Sequence, residues 1–127
     1  MLDNNTILKT AEIGKEHIFL LLKKTGQPHI YIEGKDNAGN HYIFASPLEE
    51  GYGHKELYDD ARKFLNKELT VMGGGILLIG DDRHYRCCGR SGTYGEADNK
   101  KIEEELNDFE SRNLLRTPCH SQVPYTS

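Results

Sequence analysis

The run His29-Ile30-Tyr31-Ile32-Glu33, the polar stretch Lys35-Asp36-Asn37-Ala38-Gly39-Asn40 and the run His41-Tyr42-Ile43-Phe44-Ala45 decide the fold class. Both outer runs are rich in β-branched and aromatic residues, and Asp, Asn and Gly between them form turns, so the stretch predicts a β-hairpin. Upstream, Glu16-His17-Ile18-Phe19-Leu20-Leu21-Leu22 is a compact apolar run ended by Lys23-Lys24-Thr25-Gly26, and it reads as a buried strand. Downstream, Pro47 stops the hairpin and Gly51-Tyr52-Gly53 forms a short loop. From His54 to Glu68, Leu57, Ala61, Phe64 and Leu65 recur at i, i+4, i+7 and i+8, one stripe of an amphipathic helix.

Leu69 to Ile79 is strand-like but contains Gly73-Gly74-Gly75, which predicts a bulge or a place where another group approaches the backbone closely. Asp81-Asp82-Arg83 makes a turn, and His84 to Cys88 returns antiparallel into the small-residue loop Gly89-Arg90-Ser91-Gly92-Thr93-Tyr94-Gly95. A second helix starts at the cap Asp98, with Ile102, Leu106 and Phe109 on one stripe. The order predicts an α+β domain: a mixed, largely antiparallel sheet with two amphipathic helices packed on it. Residues 1–15 are expected to form a loose N-terminal segment, residues 16–110 the domain, and residues 111–127 a tail without core-forming pattern.

A chain of 127 residues with 36% hydrophobic content fits one core. The formal charge of -4 arises from interleaved acids and bases, with no basic stripe for a phosphate backbone, so nucleic acid is not an expected partner. The longest apolar run, Ile18 to Leu22, is far below the roughly 20 residues of a membrane helix, and the N-terminus lacks a signal-peptide pattern. No membrane partner is expected, and the expected compartment is the cytoplasm, with a monomeric chain and its three cysteines reduced.

Three features could carry chemistry. His54 follows Gly53 in the first turn of a helix, where the positive end of the dipole favours the neutral ring that acts as base or nucleophile. Alone, it is one histidine among six. In Arg90-Ser91-Gly92-Thr93, main-chain N–H groups of a Gly-rich turn can cradle an anion, hydroxyls of Ser91 and Thr93 can add donors, and Arg90 can add a charge. Such turns are also common as plain turns, and the Walker pattern is absent. Gly73, Gly74 and Gly75 can act only sterically. Cys87-Cys88 and Cys119-His120 lack zinc-ligand spacing, so no metal or other cofactor is expected, and a cysteine nucleophile has no support.

Together these segments resemble the protein phosphohistidine phosphatases, the family that includes the janus and ocnus proteins. The likeness runs from Glu16 to Phe109. It rests on an apolar first strand, the histidine-headed helix with Glu56-Leu57-Tyr58-Asp59, the Gly73-Gly74-Gly75 strand, a hairpin, and the G-x-S-x-x-Y-G loop Gly89 to Gly95 before Lys100-Lys101. The resemblance implies a metal-independent phosphoamidase that hydrolyses the N–P bond of phosphohistidine in a protein or peptide and releases inorganic phosphate. It places catalysis on His54 and phosphate binding on Arg90, Ser91, Gly92 and Thr93, with Gly53, Gly73, Gly74, Gly75 and Tyr94 in support. Two departures stand out. The family's lysine at the head of the first strand falls on Ile18, with His17 on the other strand face, and an arginine before the catalytic helix falls near Ser46. Arg90, where other members carry tyrosine, is the residue expected to restore positive charge. The alternatives are a non-catalytic phosphate- or phosphopeptide-binding module on the same fold, and a hydrolase of small phosphorylated metabolites or phospholysine.

Overall fold

A computed structural model of the chain describes residues 7–13, 16–22, 28–80 and 84–112. The strands are β1 (Ile7–Ile13), β2 (Glu16–Leu22), β3 (His29–Lys35), β4 (His41–Pro47), β5 (Thr70–Ile79) and β6 (Tyr85–Cys88), and the helices are α1 (His54–Leu65) and α2 (Asn99–Ser111). They form one six-stranded sheet in the order β1-β2-β4-β3-β5-β6. Only β2 and β4 pair in parallel; the other four pairings are antiparallel. The fold is therefore α+β, with the mixed, largely antiparallel sheet and two helices read from the sequence.

The hairpin His29 to Ala45 forms as expected, its turn closed by Asp36, whose carboxylate accepts from the amides of Ala38 and Asn40 at 2.9 Å each. Both strands are buried on both faces, because the two helices lie on opposite sides of the sheet. Strand alternation sends Ile30, Ile32, Tyr42 and Phe44 to one side with Leu57 and Ala61 of α1. The same alternation sends Tyr31, Ile43, Ala45 and Leu77 to the other, with Ile102, Leu106 and Phe109 of α2. Helix α1 connects β4 to β5 and crosses over β3, so its first residue stands above β5 while Phe64 near its end packs edge-on against Phe19 at 5.1 Å. Asn66 in the left-handed conformation (φ 55°) ends α1, its N–H bonding the Arg62 carbonyl.

The loose N-terminal segment expected through residue 15 is corrected for residues 7–13, which form β1 along β2. Lys9, Thr10 and Glu12 interrupt the local apolar alternation, and the strand is specified by pairing with β2, which no local pattern reports. Residues 1–6, 14–15, 23–27, where the strand was expected to end, 81–83, where a turn was expected, and 113–127, which include Cys119, lie outside the described residues. Cys87 points into the core and Cys88 outward, as neighbours on a strand must.

Strand β6 is a sheet edge, and α2 covers it. Asn107 accepts from the Tyr85 N–H at 2.7 Å and donates to the Tyr85 carbonyl at 2.9 Å, and Glu103 one turn earlier accepts from the Cys87 N–H at 2.8 Å. Two helix side chains thus take the bonds a further strand would take.

On the α2 face, buried Glu33 accepts from His41 Nε2 at 2.7 Å and from the Asp98 amide at the head of α2. Burial pushes this carboxyl up, but the bond and charge of His41 and the Asp98 amide outweigh it and hold the group below its ordinary value. A depressed folded value means stability present above the unfolded pKa of about 4.3 and lost as pH falls below it. In urea unfolding, Glu33→Gln should lower stability at pH 7 by about 3 kcal/mol, the scale of breaking a buried pair. It should also flatten the decline of stability between pH 5 and 3; parallel declines in both proteins would refute the assignment.

Candidate functional site

His54 opens α1 at the first helical position, after the cap residue Gly53. Gly53 has no side chain to cap the helix, so Glu56 does it from inside, its carboxylate accepting the Gly53 N–H at 2.8 Å. The half-buried imidazole leans over β5, where Nε2 lies 3.0 Å from the Gly75 carbonyl oxygen. A carbonyl only accepts, so Nε2 carries the proton. In the neutral ring the lone pair then sits on Nδ1, which has no hydrogen-bond partner among the described residues.

Ser91 reaches the same place from the other direction. A methyl group on Gly74 would stand 2.7 Å from the Tyr31 carbonyl oxygen, 2.8 Å from His54 Cδ2 and 3.2 Å from Ser91 Cβ. His54 and Ser91 therefore close on the same bare stretch of strand from a helix and from a loop. The loop is pinned to β5 by Gly74 N–H to the Gly95 carbonyl (3.0 Å) and Ala97 N–H to the Gly74 carbonyl (3.3 Å).

Inside the loop the hydrogen bonds differ from the expected anion cradle. Ser91 N–H donates to the Gly95 carbonyl at 3.0 Å, and the amides of Thr93 and Tyr94 donate to Ser91 Oγ at 3.1 and 3.0 Å. Ser91 is wholly buried. It builds the turn, and the loop residues left exposed that carry further donors are Gly92, Thr93 and Arg90. Tyr94 packs edge-on against Tyr58 of α1 at 5.8 Å, fastening the loop to the helix. Burial, then Tyr58, Asp59 and Glu56, pushes its phenol up.

The residue that sequence reading missed is Asn99, the first of α2. Its Oδ1 accepts from buried Tyr31, and its Nδ2 donates to the Gly89 carbonyl at 3.0 Å and to the Glu96 carboxylate at 3.3 Å, gripping both ends of the loop. It sits behind Gly75, where a methyl group would stand 2.9 Å from Asn99 Oδ1. Nothing marks Asn99 locally, because its partners are residues scattered along the chain.

The position aligned above with a lysine by resemblance is Ile18, with His17 on the other strand face. Ile18 is wholly buried on the α2 face, so no side chain there faces His54. His17 is on the α1 face but stacks on Tyr42 at 4.9 Å beside Lys67, near the other end of α1. The sheet positions one step from Gly74 on the His54 side are Ile76, Ile30 and Ser46, paired across β5, β3 and β4. All are neutral.

Among the described residues no three His, Cys, Asp or Glu side chains converge as metal ligands, and no helix is long and apolar enough to cross a membrane. No protein-family model matches the chain, and no curated protein matches it significantly.

Gly74→Ala should destabilise the fold by about 1–3 kcal/mol, the cost of overpacking, because the Tyr31 backbone cannot yield. Gly92→Ala, with nothing within 4 Å of the added carbon, should be nearly neutral. Thermal unfolding of the two variants compares them directly; equal losses would show that Gly74 is not the point of closure.

Proposed function

We propose that this chain is a metal-independent phosphoamidase that hydrolyses the N–P bond of phosphohistidine in proteins or peptides, with His54 as the reacting residue. The observation that carries the reading is the closure of His54 and the Ser91 loop on Gly74, with the ring proton fixed by the Gly75 carbonyl. Three segments distant in sequence meet where a phosphoryl group would have a nitrogen nucleophile or base on one side and anion donors on the other.

The reacting atom is Nδ1. As base, Nδ1 takes a proton from water while the water oxygen attacks phosphorus; the P–N bond breaks with its electron pair going to the substrate ring, which already carries a proton on its other nitrogen and leaves as neutral imidazole, with inorganic phosphate as the other product. As nucleophile, Nδ1 attacks phosphorus itself, the same bond breaks, and water then cleaves the new N–P bond. In both routes the His54 ring gains positive charge. The Nε2–H bond to Gly75 becomes charge-assisted at that moment, which favours the transition state over the ground state. The Gly92 amide, the Thr93 hydroxyl and Arg90 would hold the phosphoryl oxygens.

A second reading, a phosphate- or phosphopeptide-binding module without turnover, is favoured by one observation: Ile30 and Ser46 leave the strands beside the site without a cation. Turnover separates the two. His54→Ala, folded by circular dichroism, should lose at least about a hundredfold in phosphoramidate hydrolysis, the scale of a general base, while chelators leave the wild type unchanged. The phosphoamidase reading is falsified if the alanine variant keeps full activity. Alkali-quenched phosphorus NMR assigns the route, since only the nucleophile leaves phosphate on the protein and the N–P bond survives base. Arg90→Ala should weaken phosphate binding about tenfold, in line with loss of one charge-assisted bond. Arg62→Ala should not, because Arg62 lies 5.2 Å over the Tyr58 ring and pairs with Glu68.

A further inference from the structure

We infer that the α1-side face of β5 and β6 is the docking surface for the polypeptide bearing the phosphorylated side chain, and that it takes a segment of aliphatic and acidic residues. The inference rests on the phosphohistidine reading of the His54 site and adds to it the place and chemistry of the flanking chain.

Alternation along β5 puts Gly74, Ile76 and Leu78 on the face that His54 occupies. Across β6, Cys88 stands opposite Ile76 and Arg86 opposite Leu78, and Arg90 follows in the loop. Helix α1 rests on β3 and β4, and α2 lies behind the sheet, so no described helix covers this part of the face. Leu78 is 37% exposed, Ile76 is half-buried, and Arg86, Cys88 and Arg90 are exposed. The strip begins at the reacting histidine and runs roughly 13 Å from Gly74 to Leu78, the reach of about four extended residues.

Charge names the occupant. The chain is acidic overall, and Arg62, Lys67 and Arg112 pair with Glu68, Asp36 and Asp108. Arg86 and Arg90 have no carboxylate partner among the described residues, and the β5 and β6 positions of this face carry no acid. Acids lie across the site instead, where Glu56 and Asp59 approach Tyr94. A segment carrying Asp or Glu with Leu or Ile matches the two arginines and the Ile76–Leu78 strip. A lysine-rich segment would meet like charge there.

The test uses the full chain and its Arg86→Glu and Leu78→Asp variants. The probes are phosphoramidate, a short phosphohistidine peptide with Glu and Leu flanks, its counterpart with Lys and Gly flanks, and a fluorescent unphosphorylated Glu/Leu peptide. Each variant should weaken binding of the fluorescent peptide about fivefold or more, the scale of one surface contact of about 1 kcal/mol. KM for the Glu/Leu phosphopeptide should rise to match, while kcat and phosphoramidate turnover stay within about twofold, as for surface changes away from the chemistry. Unchanged peptide binding in both variants would overturn the inference, as would equal binding of the Lys/Gly peptide or an equal loss on phosphoramidate. A wild-type dimer dissolved by Leu78→Asp would also overturn it, by showing that a second copy covers the face. Phosphoramidate turnover by the wild type reports on His54 alone and peptide binding on the docking face alone, so either can fail without the other.

Discussion

A carbon atom added at Gly73 would stand 2.6 Å from the Glu96 carbonyl oxygen, at Gly74 2.7 Å from that of Tyr31, and at Gly75 2.7 Å from that of Cys88. No real side chain tolerates such contacts, and everything at the site depends on their being possible. Gly73 lets the segment entering α2 lie against β5. Gly74 admits His54 and Ser91 from the α1 side, and Gly75 admits Tyr31 and Asn99 from the α2 side. Glycine inside a strand costs roughly 0.5–1 kcal/mol relative to alanine at each position, and here the neighbours that crowd in supply the packing that the strand gives up. The register shift between Glu33 and Gly34 leaves Met72 without a partner across β3, so a bulge precedes the triplet.

The loop beside His54 is rigid for a related reason. Ser91 Oγ satisfies two of its amides, the Gly95 carbonyl accepts from both Ser91 and Gly74, and Asn99 holds its ends. Asn99 is itself fixed by the Tyr31 hydroxyl, whose pKa is raised by burial and then by Cys87 and Glu33, so it remains a protonated donor. The chain of contacts therefore runs from the sheet core through α2 to the loop, on the side away from His54. A site held in this way is organised before any ligand arrives, and binding need not order the loop.

Elements with strong local signals were legible in the sequence. The hairpin, the stripe of α1 and the Asp98 cap of α2 appear where periodicity and turn chemistry place them, and so does the steric role of Gly73-Gly74-Gly75. What was not legible depends on pairing. β1 exists because β2 offers it an edge, and its own residues alternate poorly. The face that Ile18 occupies is set by the register of β2 on β4, which places it opposite Ile43 in the α2 core. The direction of the Ser91 hydroxyl is equally a tertiary fact: the motif shows a Gly-rich turn, and only the closed loop reveals that the Thr93 and Tyr94 amides turn inward onto it.

The distribution of positive charge bears on how such a site would work. Beside His54 the strand positions Ile30 and Ser46 are neutral, and the cations stand on the rim at Arg86 and Arg90, in contact with water. Two unit charges 4 Å apart interact by about 1 kcal/mol in water and about 4 kcal/mol at the effective dielectric of a protein surface, so rim charges do more for capture than for the reacting atoms. Stabilisation close to phosphorus would then fall to dipoles, chiefly the Gly92 amide, with the Gly75 carbonyl bearing the charge that develops on the His54 ring. On the proposed reading, a phosphoramidate would suit so modest an electrostatic site, because an imidazole already protonated on its other nitrogen leaves as a neutral molecule and relieves the protein of stabilising an oxyanion there. A phosphate ester, whose leaving oxygen needs a cation or an acid beside it, would find neither at Ile30, Ser46 or Ile76, the described strand positions next to His54.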